Sequence, residues 1–185
     1  MLLLKKIVPV LFFSCFISIA AHSQLMVSKL VSKGDSKYGL GYGLFAYLDF
    51  PLANENQSFR VELLGFAAFP TKGENLFTST EDVKGYVSIK LGYKYVFSET
   101  QAGFYLIPSA GYCRVVFSES GQDDATYGDG IAGALEGGYT IEVGERGHTI
   151  NLGLKYEYDH GNATHTIQSV GFRVSYGFGL FRRKE

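Results

Sequence analysis

A chain of 185 residues with 17 Lys+Arg, 18 Asp+Glu and a formal net charge of -1 is sized for one domain. Charge so nearly balanced leaves no electrostatic footprint for nucleic acid, and two cysteines are too few for a disulfide-built scaffold. The 23 glycines and the aromatic content of 15% favour an all-β chain.

The first segment is not part of the domain. Met1 to Lys6 carries two lysines, Ile7 to Ala20 is almost wholly apolar, and Ala21-His22-Ser23 ends in small residues before Gln24. That order describes a secretory signal peptide, whose apolar run is too short to span a bilayer comfortably. Cleavage is expected after Ser23, giving a leader over 1–23 and a domain over 24–185. A lipoprotein signal using Cys15 is the alternative, with the bulky Phe12-Phe13-Ser14 before it. Loss of the leader removes Lys5 and Lys6 and takes the net charge to about -3. It also leaves Cys113 as the only thiol, so no intramolecular disulfide can form.

Strict alternation then runs along the chain, and a period of two means β-strand. Leu25 to Ser32 is the weakest case, with Lys29 on the same face as Leu25, Val27 and Val31. Lys33-Gly34-Asp35-Ser36 is a turn by composition. In Tyr38 to Phe50, Tyr38, Leu40, Tyr42, Leu44, Ala46, Leu48 and Phe50 oppose Gly39, Gly41, Gly43, Phe45, Tyr47 and Asp49. Pro51 closes that strand and Asn54 to Gln57 makes the connection. Phe59 to Phe69 follows, ended by Pro70, and a long polar segment runs over 70–82.

Val83 to Phe97 sets Val87, Ile89, Leu91, Tyr93, Tyr95 and Phe97 against Lys84, Ser88, Lys90, Gly92 and Lys94. Ser98 to Gln101 is a tight reversal. Ala102 to Phe117 is less clean because Pro108 sits in its middle, where a bulge or a missing hydrogen bond is expected. A polar loop over 118–128 leads to Asp129 to Val143, and Gly144 to Gly147 is another tight turn. The clearest pair closes the chain. Ile150, Leu152, Leu154, Tyr156 and Tyr158 oppose Asn151, Gly153, Lys155 and Glu157; then Val170, Phe172, Val174, Tyr176 and Phe178 oppose Ser169, Gly171, Arg173, Ser175 and Gly177.

Eight strands result if 25–32 is one of them. An apolar face opposite a small-and-charged one fits a wall between lipid and a packed polar interior. Strands running up and down put the tight turns 98–101 and 144–147 at one end and the long loops 70–82 and 118–128 at the other, as in a transmembrane barrel with short periplasmic turns. The expected fold is therefore an eight-stranded antiparallel up-and-down transmembrane β-barrel. Aromatic girdles are expected at both rims: Tyr93, Tyr95, Phe97, Phe104, Tyr139, Phe178 and Phe181 at one, and Tyr38, Phe69, Phe117, Tyr156 and Tyr158 at the other. The interior candidates are Arg60, Lys84, Lys90, Lys94, Lys155 and Arg173 against Asp49, Glu62, Glu136, Glu142 and Glu157. A barrel of this size encloses only side chains, so these charges must pair. A lipocalin-like soluble barrel would invert the two faces and hold an apolar ligand inside.

On these features the segment 24–185 resembles the small outer-membrane β-barrel proteins of Gram-negative bacteria, in the broad OmpX-like or OmpA-transmembrane-like class. Ser175-Tyr176-Gly177-Phe178-Gly179-Leu180-Phe181 resembles the terminal signal read by the barrel-assembly machinery, although here Arg182-Arg183-Lys184-Glu185 follows. The resemblance implies outer-membrane localisation and contact with outer-membrane lipid and lipopolysaccharide. It also implies a passage through the assembly machinery and a monomeric barrel acting as a structural or surface-interaction protein.

Chemistry is sparse. His160-Gly161-Asn162-Ala163-Thr164-His165 faintly resembles the His-x-Ser-Asn motif of outer-membrane lipid A deacylases, but Asn162 stands where that family has its serine nucleophile. Two loop histidines beside Asp159 meet no known metal-site spacing, and His148 stands alone. Cys113 falls on the polar face as a small interior residue. No catalytic, cofactor-binding or metal-binding residue is assigned and no cofactor is expected; a lipid-A-modifying barrel enzyme is the alternative function, alongside the soluble ligand binder.

Overall fold

The computed structural model describes residues 24–31, 38–54, 56–70, 83–99, 102–118, 126–144, 148–161 and 166–177. The expected leader with its cleavage point, most of the long loops and the end of the terminal signal lie outside these residues. Eight strands form a closed barrel: β1 (Gln24–Leu30), β2 (Tyr38–Pro51), β3 (Gln57–Pro70), β4 (Val83–Val96), β5 (Gly103–Ser118), β6 (Thr126–Val143), β7 (His148–His160) and β8 (Thr166–Gly177). Each pairs antiparallel with the next, and β1 closes the wall against β8 through pairs such as Leu25↔Val174. The weakest strand in the sequence is thus the one that seals the barrel. Its lumen-facing residues, Gln24, Met26, Ser28 and Leu30, are buried. They are half apolar, which blurs the contrast that alternation relies on.

Inside and outside fall as the periodicity demands. Along β7, Asn151, Lys155, Glu157 and Asp159 are buried while Leu154, Tyr156 and Tyr158 are exposed. Along β8, Ser169, Arg173 and Ser175 are buried while Val170, Phe172, Val174 and Tyr176 are exposed. A charged lumen inside an apolar wall is the reverse of a soluble ligand-binding barrel, so the lipocalin-like arrangement is excluded. The connections 52–56, 97–102 and 144–147 share one end. Gly144, with φ 72°, begins the last of them in a left-handed conformation suited to glycine.

Four expectations need correction. Tyr38, expected on the outer face, is buried, because the β2–β3 register shifts between Tyr38 and Gly41 and this bulge turns the residue inward. Phe117 points the same way: it packs against the lumen's apolar cluster and so leaves the outer girdle. Glu142, at the turn end of β6, is exposed rather than interior. Strand β6 starts at Thr126, inside the stretch read as loop, since the β5–β6 ladder runs on to Phe117↔Thr126.

At Pro108 the outcome is a gap without a bulge. The β5–β6 register is unbroken through Pro108↔Leu135, whereas β4–β5 pairing skips from Gly92↔Ser109 to Tyr95↔Leu106 with no change of register. The girdle at the short-turn rim is present as edge-to-face pairs, Tyr95 with Phe97 and Phe104 with Tyr139, both 5.0 Å between centroids. Phe178 and Phe181 lie outside the described residues.

Candidate functional site in the barrel lumen

The lumen is where the polar faces of all eight strands converge, and it is filled in layers. Nearest the short turns, Arg60 on β3 clasps Asp49 on β2 through two parallel hydrogen bonds of 2.7 and 2.8 Å. Its guanidinium lies 3.7 Å from the centre of the Tyr47 ring. Across the barrel, Lys94 donates to Thr140 Oγ1 at 3.3 Å and to Asn151 Oδ1 at 3.2 Å. Asn151 passes its amide hydrogens on to Tyr47 Oη and Ser175 Oγ at 3.0 and 3.1 Å. One chain of bonds therefore links β2, β4, β6, β7 and β8.

The middle layer is ionic. Arg173 on β8 reaches Glu62 on β3 at 2.7 Å and also pairs with Glu136 on β6. Lys155 donates to Glu62 at 2.5 Å and lies 3.2 Å from Glu157; Lys90 pairs with Glu157 and stands 3.6 Å from Glu62. Tyr105 adds a 2.8 Å hydrogen bond to Glu136. Room for that hydroxyl comes from Gly153, where a Cβ would sit 2.5 Å from the Tyr105 oxygen. Each carboxylate bridges groups from different strands, while Arg173 keeps its Nε and Nη2 without a hydrogen-bond partner among the described residues. Pairing of this kind offsets the cost of taking the charges out of water.

Toward the loops the lumen becomes apolar. Met26, Leu30, Tyr38, Phe45, Leu64, Phe66, Ala68, Tyr86, Cys113, Val115, Ala132 and Ile167 form one buried cluster. Arg173 joins the two layers by lying 3.4 Å from the centre of the Phe45 ring. Periodicity shows a polar face and does not single out this plug. Its signal is present in Phe45, Leu64, Phe66 and Tyr86, large residues at lumen-facing positions. Parity puts Tyr47, Asn151 and Ser175 on the polar face, but nothing in the sequence marks them, or Tyr105 and Thr140, as members of a network, because neutral polar residues do not stand out from an alternating strand.

The described residues weighed for chemistry divide between the two faces of the wall. Asp159 faces the lumen, whereas His160 next to it stacks on Tyr158 with centroids 6.2 Å apart and bonds Thr166 Oγ1 through Nδ1 at 2.8 Å. Asn162, Thr164 and His165 lie outside the described residues. Cys113 is fully buried and donates to the Ile131 carbonyl at 3.2 Å. His148 stacks on Tyr176 at 5.7 Å. Among the described residues no group of three or more His, Cys, Asp or Glu side chains is arranged to hold a metal ion.

No family model matches the chain, and no curated protein does. Among solved structures it is similar to Neisserial surface protein A, with 16% identity over 84% of this chain and 92% of that one and a TM-score of 0.63. A second similar structure is Ail, the attachment invasion locus protein of Yersinia pestis, at 16% identity, 83% and 93% coverage and a TM-score of 0.48. The first of these likenesses, taken with the strand pairing described above, shows the fold: a closed, eight-stranded antiparallel barrel with an apolar wall and an ionic lumen.

Proposed function

We propose that the protein is an integral outer-membrane barrel that acts as a structural or surface-contact protein, through its wall and its loop end, rather than as a pore or an enzyme. The observation that carries this reading is the lumen. From the Arg60–Asp49 clasp through the Glu62–Arg173–Glu136 network to the apolar cluster, side chains occupy every level. The wall meets lipid and lipopolysaccharide, and a single copy suffices, because every strand edge is already paired.

Two measurements on the mature chain test this. It should fractionate with the outer membrane and migrate on gels in a heat-modifiable way; recovery as a soluble periplasmic monomer refutes membrane residence. Reconstituted in planar bilayers it should show no steady conductance. A stable open channel refutes the plugged reading while leaving membrane residence intact.

A further inference from the structure

The β4–β5 seam has a defect with a definite chemical cause. Phe97 donates its N–H to the Phe104 carbonyl at 2.8 Å, which fixes the phase of this antiparallel ladder. Hydrogen-bonded pairs recur every second residue, so Tyr93 and Pro108 face each other at a position where both strands should donate. Proline has no N–H, and the pairing is interrupted there. The outer surface dips at the same place. A cleft of about 530 Å³ opens between Leu91 and Tyr93 on one bank and Pro108 and Ala110 on the other, with Phe59 at its margin. Its floor reaches into the thickness of the wall, because the lumen-facing neighbours there are the small residues Gly92, Ser109 and Ala134 together with Arg60, whose guanidinium is turned to Asp49.

We infer that this cleft seats one acyl chain of a phospholipid of the periplasmic leaflet. The occupant follows from where the cleft lies. It is continuous with the apolar wall, whose neighbouring residues Phe59, Leu91, Phe104 and Leu106 are all exposed. Pro108 stands five residues into β5 from the short-turn end, which is the periplasmic end of such barrels. The Phe104–Tyr139 and Tyr95–Phe97 pairs below it mark the interface where a headgroup would rest. A smooth wall exchanges lipid freely. A chain lodged in the cleft fills a gap that side chains leave empty and covers the seam where main-chain groups lack ladder partners, a costly exposure in hydrocarbon. The inference rests on the membrane reading proposed above.

The test uses the mature chain in vesicles of phosphatidylethanolamine and phosphatidylglycerol. These carry a small fraction of phosphatidylethanolamine with a diazirine near the end of one acyl chain. After illumination, adducts are mapped by mass spectrometry. A several-fold excess on residues 91–93 and 108–110 is expected over wall residues at similar depth, 152–154 and 172–174. Ala110→Phe, which fills the cleft, should abolish the excess and leave labelling elsewhere unchanged. Pro108→Ala, which restores a ladder donor, should reduce it. Even labelling around the wall overturns the acyl-chain site but not the membrane reading, whereas no labelling anywhere on the wall overturns both. An excess that survives both substitutions also overturns the site, since it then owes nothing to the cleft.

Discussion

At the scale of single residues, Arg173 and Asp159 make opposite cases. Arg173 is 1% exposed and holds two carboxylates from different strands. Arg173→Leu leaves Glu62 with its lysines and strips Glu136 of its cation, and breaking a buried pair this way costs about 3–5 kcal/mol. Urea titration of the refolded barrel should show a loss of that order; a change near zero would mean that water already screens the network. Asp159 is just as buried, but neither of its carboxylate oxygens meets a hydrogen-bond partner among the described residues. It stands beside Ile167 and Ala132 at the level of the apolar plug. Asp159→Leu removes an unsatisfied polar group and should stabilise by about 1–3 kcal/mol. The same titration checks it, and a loss comparable to that of Arg173→Leu would show that Asp159 is a working member of the network.

At the scale of the strand, β8 shows what a sequence discloses and what it withholds. Its alternation alone assigns Arg173 to the lumen and Val174 to the wall, because every odd residue from Ser169 to Ser175 is small or charged. Val174 is 44% exposed and pairs with Leu25 and Leu152, so Val174→Arg drives a charge into hydrocarbon. The cost should be about 2–4 kcal/mol near the midplane, read as slower or weaker refolding into vesicles. Tolerance of that arginine would contradict the assignment of the outer face. Strand β2 shows the limit. Its parity is as clear as that of β8, but the bulge between Tyr38 and Gly41 shifts the phase by one residue and carries Tyr38 inside. A bulge leaves no mark in the pattern itself. Proline does: the missing donor at Pro108 is legible in the chain, and only its form, a gap rather than a bulge, depends on the neighbouring strand.

At the scale of the whole molecule, the lumen works as two seals in series. Below, the Glu62, Glu136, Glu157, Lys90, Lys155 and Arg173 network closes the bore with side chains tied across the barrel. Above, Leu64, Phe66, Tyr86 and Ile167 close it with apolar bulk. The two block ions by different physics. Removing the charged side chains opens space but leaves an apolar constriction, which excludes ions by dewetting. Removing the apolar bulk wets the upper half and leaves cross-barrel ion pairs that keep the lower half filled. Neither change alone should therefore produce conductance. The triple variant Glu62→Ser, Lys155→Ser, Arg173→Ser and the triple variant Leu64→Ser, Phe66→Ser, Tyr86→Ser should each stay silent in planar bilayers, provided heat-modifiable migration shows that they fold. The combination of all six, with Arg60→Ser and Lys94→Ser to open the layer nearest the short turns, should pass current in discrete steps. Full conductance from either triple variant alone would mean that the layers are not independent barriers. The lower clasp of Arg60 and Asp49 would then have no part in sealing the bore either.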